Sequence, residues 1–131
     1  MTNCTNLIVH CMDFRIQKTI ERWIHEMGMF GDLDRVSLAG PCRSGQPTMD
    51  YIRAGYELHG IKHVFLSQHI DCGAYGGHDA FASLEAEREK LKEDMLILGK
   101  TIRDSFPEVQ VTMLMIEEVG DSWEVVETGQ I

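Results

Sequence analysis

Ile61-Lys62-His63-Val64-Phe65-Leu66-Ser67-Gln68-His69-Ile70-Asp71-Cys72-Gly73-Ala74-Tyr75-Gly76-Gly77 is the stretch on which the fold turns. Its first half, Ile61 to Ser67, is an apolar and β-branched run short enough to be a buried strand. His69 and Cys72 follow, two metal-ligand types separated by two residues. Gly73, Gly76 and Gly77 then let the backbone fold tightly around whatever those ligands hold. A strand, a ligand pair and a glycine-rich turn is the arrangement of a site outside the carboxyl end of a strand in an α/β protein. His-x-x-Cys supplies only two donors, so a third has to arrive from elsewhere in the chain.

Working outward, Leu7-Ile8-Val9 is another short apolar run and reads as a buried strand ending at His10-Cys11. Ile16, Ile20, Trp23, Ile24 and Met27 lie on one face of a helix, with Gly28 as its stop. Arg35 to Ala39 is a second short strand. Gly40-Pro41-Cys42-Arg43-Ser44-Gly45 is a loop by composition. A second helix opens at Gln46 or Thr48, buries Met49, Ile52 and Tyr56, and ends at Gly60. Asp79 is the expected N-cap of a long third helix. Its apolar stripe is Phe81, Leu84, Leu91, Met95, Leu98 and Ile102, and it stops before Pro107. The charged segment Glu85 to Asp94 reads as an exposed helical surface with ion pairs one turn apart. Val109 to Val119 is the fourth strand, and Trp123 to Thr128 adds an edge strand.

The alternation β-α-β-α-β-α-β predicts a single α/β domain spanning 1–131. It is a doubly wound, mostly parallel sheet with four core strands in the order 2-1-3-4 and right-handed crossovers. In that order strands 1 and 3 are neighbours, and their junction is the switch point where ligands bind. Cys11 ends strand 1, and His69 and Cys72 follow strand 3. The topology therefore brings all three to one crevice.

Composition narrows the function classes. Twelve Lys+Arg against 21 Asp+Glu give a net charge of −9, which argues against a nucleic-acid or anionic-membrane partner. No apolar run approaches the ~18 residues of a membrane helix, and the amino terminus has no signal-peptide pattern. A cytoplasmic location is expected. There the four cysteines, Cys4, Cys11, Cys42 and Cys72, suit metal binding or catalysis better than a disulfide framework. Cys42 reads as a small buried residue. Cys4, His10, His25, His59, His63 and His78 lack partner spacing and read as structural or solvent-facing.

Zinc takes thiolate and imidazole in tetrahedral geometry, and three protein ligands leave a position for water. Two thiolates cancel the 2+ charge, so that water is acidified less than at a three-histidine site. Asp13, two residues past Cys11, is close enough to orient it and assist its deprotonation. Arg15 lies on the same side of an extended segment and would keep Asp13 ionised and aimed. With Arg15 turned away, Asp13 is instead placed to close the site as a fourth ligand.

Cys11-x-Asp13-x-Arg15 and His69-x-x-Cys72-Gly73 resemble the two signatures of the β-class carbonic anhydrases. The resemblance covers about Leu7 to Val119. It implies zinc (Zn2+) on Cys11, His69 and Cys72, and an Asp13–Arg15 dyad controlling the fourth position. It also implies carbon dioxide hydration to bicarbonate by a zinc-bound hydroxide, with Ala39, Gly40 and Gly73 on the substrate side. The implied assembly is a homodimer or a higher even-numbered oligomer. Departures qualify the pattern. The family's Asn-Ala-Gly-Asn is Leu38-Ala39-Gly40-Pro41 here, removing two polar side chains. Gln68 stands where glycine usually precedes the histidine. With the first strand within ten residues of Met1, a short, arm-less member is expected. Two other readings stay open: a catalytically silent zinc-containing binding or regulatory module, and a related carbon disulfide or carbonyl sulfide hydrolase.

Overall fold

The computed structural model of the chain describes residues 2–131. Strand β1 (Asn6–Cys11) sits inside a five-stranded sheet ordered β2-β1-β3-β4-β5. Its partners are β2 (Leu33–Leu38) and β3 (His63–His69), both parallel to it, and β4 (Gln110–Val119) lies parallel beyond β3. β5 (Ser122–Gln130) returns antiparallel on β4 as the edge. The core order 2-1-3-4 and the edge strand are those expected from the sequence. The edge strand is longer than Trp123 to Thr128 because Gly120, at φ +62°, makes a two-residue turn that lets pairing begin at Val119 and Ser122.

The helices divide between the two faces because neighbouring strand residues point opposite ways. Ile8 packs with Ile20 and Ile24 of α1 (Gln17–Glu26). Leu7 and Val9, on the other face, pack with Ile52 of α2 (Thr48–His59) and with Leu91, Met95 and Ile102 of α3 (Leu84–Ser105). β1 and β3 are apolar on both faces because helices cover both. Their carboxyl ends, Cys11 and His69, emerge side by side at the switch point.

Several boundaries depart from the sequence reading. β3 runs to His69 rather than stopping at Ser67, so His69 is held by the ladder itself and not by a loop. β2 starts at Leu33, ahead of Arg35. α3 begins at Leu84, where the Ser83 side chain accepts from the Ala86 N–H, and Asp79 is not its cap. The left-handed Gly76 and Gly77 lead into a separate one-turn helix at His78–Ala80, and extended Phe81 precedes α3. The segment Glu85 to Asp94 is not all solvent-facing. Glu87 and Asp94 are buried, each held by hydrogen bonds to the loop that follows β3.

Candidate metal centre

Cys11, His69 and Cys72 converge at the carboxyl ends of β1 and β3. One donor atom from each lies within 4.8 Å of the others, and all three residues are buried. The two sulfurs are 4.0 Å apart. Two thiolates ~2.3 Å from a common zinc in tetrahedral geometry would stand ~3.8 Å apart, so little movement separates this pair from a coordinating one.

His69 supplies the sharpest indication. Its Nδ1–H donates to the Ile70 carbonyl at 2.7 Å, which leaves Nε2 as the bare lone pair. Nε2 is the one fully buried side-chain nitrogen or oxygen among the described residues that has no hydrogen-bond partner. A buried acceptor with nothing to accept from costs stability unless a cation fills the gap. The thiols point the same way. Contact with the Cys72 thiol, helped by the Gly40 N–H, pulls the Cys11 thiol well below its ordinary value. The Cys72 thiol is pushed up, chiefly by that same contact with Cys11 and then by burial. The pair by itself holds one proton between two sulfurs, and a divalent cation removes the conflict.

Gly40 explains the tight turn after β2. It is buried at φ +52°, and its N–H donates to Cys11 Sγ at 3.5 Å. A Cβ there would come 2.7 Å from the Ala74 Cβ and 3.7 Å from Cys72 Sγ. Any side chain would push on the segment that carries Cys72. Ala39 is exposed, and its carbonyl accepts from Gln46. Gly73 is exposed at the start of the turn after Cys72.

Asp13 and Arg15 sit beside the three donors. Arg15 Nη2 and Nε hold Asp13 Oδ2 at 2.7 and 3.3 Å, and Nε also reaches Oδ1 at 3.1 Å. The Arg15 N–H caps Oδ1 at 2.9 Å. The Arg15 side chain therefore holds the Asp13 carboxyl below its ordinary range. Oδ2 stands 3.8 Å from His69 Nε2. Gln17 Nε2 donates to the carbonyls of Cys11 (3.1 Å) and Asp13 (2.8 Å), fixing the backbone between ligand and carboxylate.

Asp71 and Trp123 belong to this site and were missed by motif reading. Asp71 is the one non-glycine residue at positive φ, +57°, among the described residues. That turn aims its side chain at Arg15 Nη1 (2.9 Å), while its carbonyl takes Nη2 (2.8 Å). The His78 N–H, followed by Arg15, keeps the Asp71 carboxyl low. Trp123 arrives from β5 over Arg15. The available signals were Asp71 between the two ligands and the Gly120-Asp121 turn, which brings residue 123 back beside the site. Arg43 is exposed. The Tyr75 hydroxyl is tied to Gln68 and Asp94. Cys42 is buried in the α2 and α3 cluster, where burial pushes its thiol up.

The chain matches the family described as "Putative carbonic anhydrase" over residues 1–128. An uncharacterized protein of Rickettsia bellii is 28% identical over 128 residues, spanning 88% of this chain and 78% of its own length. A second, from Rickettsia conorii, is 27% identical and spans 88% and 69%. Among solved structures, one of the tetrameric β-carbonic anhydrases of Sordaria macrospora aligns with TM-score 0.67 at 16% identity, covering 100% of this chain and 84% of that one. A carbonic anhydrase of Streptococcus mutans aligns with TM-score 0.64 at 20% identity, covering 98% and 84%. At these identities the structural likeness establishes the fold.

Proposed function

We propose that this chain, which belongs to the family described as "Putative carbonic anhydrase", interconverts carbon dioxide and bicarbonate at a zinc ion held by Cys11, His69 and Cys72. The observation that carries this reading is the unpartnered His69 Nε2, aimed at two sulfurs and flanked by a carboxylate that an arginine has fixed. When bound, zinc supplies the Lewis acidity that makes water a nucleophile near neutral pH.

The chain's own residues do the rest. Asp13 Oδ2 orients the attacking water and accepts its proton. Arg15 occupies both Asp13 oxygens, which keeps the carboxylate ionised and off the metal. Asp71 holds Arg15 from the far side, so the guanidinium cannot follow a wandering Asp13. Ala39, Gly40 and Gly73 border the side from which carbon dioxide approaches. The test is stopped-flow carbon dioxide hydration on protein of measured zinc content. Zinc-proportional activity is expected. Zinc-loaded protein that is silent between about pH 6 and 9 would make the chain a binding or regulatory module instead.

Met12 and Phe14, either side of Asp13, are 62% and 85% exposed. Large apolar side chains bared next to a site favour a covering partner. That supports assembly as a homodimer or a higher even-numbered oligomer. Sedimentation equilibrium checks it, and a lone 14.9 kDa species would rule it out. No helix is long and apolar enough to cross a membrane. Four unpaired cysteines among the described residues suit a reducing, cytoplasmic setting.

A further inference from the structure

β5 brings to the metal centre a side chain that neither motif contains. Arg15 Cζ lies over the Trp123 ring, 5.5 Å from its centroid. The His69 ring meets the same indole edge-on, at 5.9 Å and 74°. One residue thus contacts both the cation that holds Asp13 and the histidine with the bare lone pair. All three guanidinium nitrogens of Arg15 already donate to Asp13 or Asp71. Its face is turned to the indole, and an indole face attracts a cation.

Trp123 is seated by more than its ring. Its carbonyl accepts from Thr19 Oγ1 of α1 at 3.2 Å, and its backbone pairs with Glu118 of β4. The indole also packs against the edges of both core clusters. It is half-buried, and it borders an open hollow of about 370 Å³ shared with Thr19, Arg22 and Trp23.

We propose that Trp123 is a positioning residue for the metal centre. It holds Arg15 against Asp13 and limits rotation of the His69 ring, so the seating of the edge strand sets the geometry of the site. This rests on reading the site as a catalytic zinc centre.

The experiment compares wild type with Trp123→Leu and Trp123→Phe, each loaded with one zinc per chain. Leu removes the π face, and Phe keeps one. Crystal structures of the zinc-loaded proteins should show two sulfurs and one histidine nitrogen as the protein ligands in wild type, with Asp13 held on Arg15. Trp123→Leu should gain a protein oxygen as Asp13, less firmly held, moves onto the metal. Adding Asp13→Asn should remove that oxygen again. Carbon dioxide hydration by Trp123→Leu should fall about three- to tenfold in kcat with little change in KM, the scale of one cation–π contact. Trp123→Phe should stay within about twofold of wild type. A folded Trp123→Leu with the wild-type ligand set overturns the proposal. If wild type itself is inactive, the catalytic reading fails, and the crystallographic comparison still decides the role of Trp123.

A loss of folding in Trp123→Leu is covered by a second measurement. The chain has two tryptophans, so Trp23→Phe leaves Trp123 as the sole tryptophan, excited selectively at the red edge where tyrosine does not absorb. Adding zinc to the metal-free variant should change its emission, because the ring it touches becomes a ligand. Stoichiometric zinc binding with unchanged emission would also overturn the proposal.

Discussion

The two faces of the sheet are finished by different chemistry. On the face covered by α2 and α3, Leu7, Val9, Ile52, Leu66, Leu91, Met95 and Ile102 close on one another almost without exposure. The α1 face has a smaller cluster, and Cys11 and Cys72 are part of it. There Trp23, Met29, His63, Phe65 and Leu114 border an open hollow of about 500 Å³, and the buried His69 Nε2 lacks a partner. The first face satisfies itself by burial. The second leaves one donor set waiting for something that is not side chain. Substitutions at distant sites with no shared partners act nearly independently, so a change on the first face should be read in stability and a change at the donors in zinc and chemistry.

The largest effect should come from removing a donor. His69→Ala is expected to lower zinc to below about a tenth of a mole per mole of chain, and hydration to the uncatalysed background. Elemental analysis after gel filtration reads the first and stopped flow the second. Full zinc retention by His69→Ala would break the assignment of the α1 face as the metal side. Next in size is Asp13→Asn, which keeps the shape and removes the charge and proton acceptor. It should leave zinc intact and cost about 10²-fold in rate. Arg15→Ala should lower the rate without rescue by excess zinc. An active wild type beside a fully active Asp13→Asn would show that the carboxylate does not move the proton.

How far the sequence foretold this comparison differs between the faces. The strand order, the two helix stripes and the convergence of Cys11 with His69 and Cys72 all follow from periodicity and from one topological rule. The long helix was misplaced because Asp79 looks like a cap, while the decision was made by Gly76 and Gly77, whose left-handed backbone starts a separate turn. Glu87 and Asp94 read as solvated charge, because only the folded loop after β3 reveals that Asp71 N–H and the Tyr75 hydroxyl need those acceptors. Trp123 was legible only as strand. Its place over Arg15 depends on a hairpin, a register and the position of α1 together.

A smaller change on the opposite face sharpens the separation. Ile102 is fully buried within the α2 and α3 cluster. Ile102→Val removes one methylene and should cost ~0.5–1.5 kcal/mol of folding stability. Urea unfolding at fixed zinc concentration reads it, and zinc content and hydration rate should not move. A drop in zinc affinity from this substitution would mean that the faces are coupled through the sheet, and the comparison would fail.

The smallest effect lies in the loop that joins the faces. His78 Nδ1 pairs with Glu87 Oε1 at 2.6 Å, and Glu87 Oε2 takes the Asp71 N–H at 2.6 Å. Contact with Glu87 raises the His78 pKa above its ordinary 6.5, against a small opposing effect of burial. A histidine that binds its proton more tightly when folded adds stability that is fully present below its unfolded pKa. That stability disappears as pH rises through the raised folded value. His78→Asn removes the titrating ring but keeps a donor for Glu87. Wild type should therefore exceed the variant in stability near pH 5.5, with the gap closing by about pH 8.5. The gap should be no more than ~0.2–1 kcal/mol, because the imidazole is 45% exposed and screened by water. Measurement at saturating zinc keeps ligand protonation out of the difference. A gap that stays constant across that range would show that the His78–Glu87 contact carries no charge, leaving the Asp71 turn to be held by Glu87 alone.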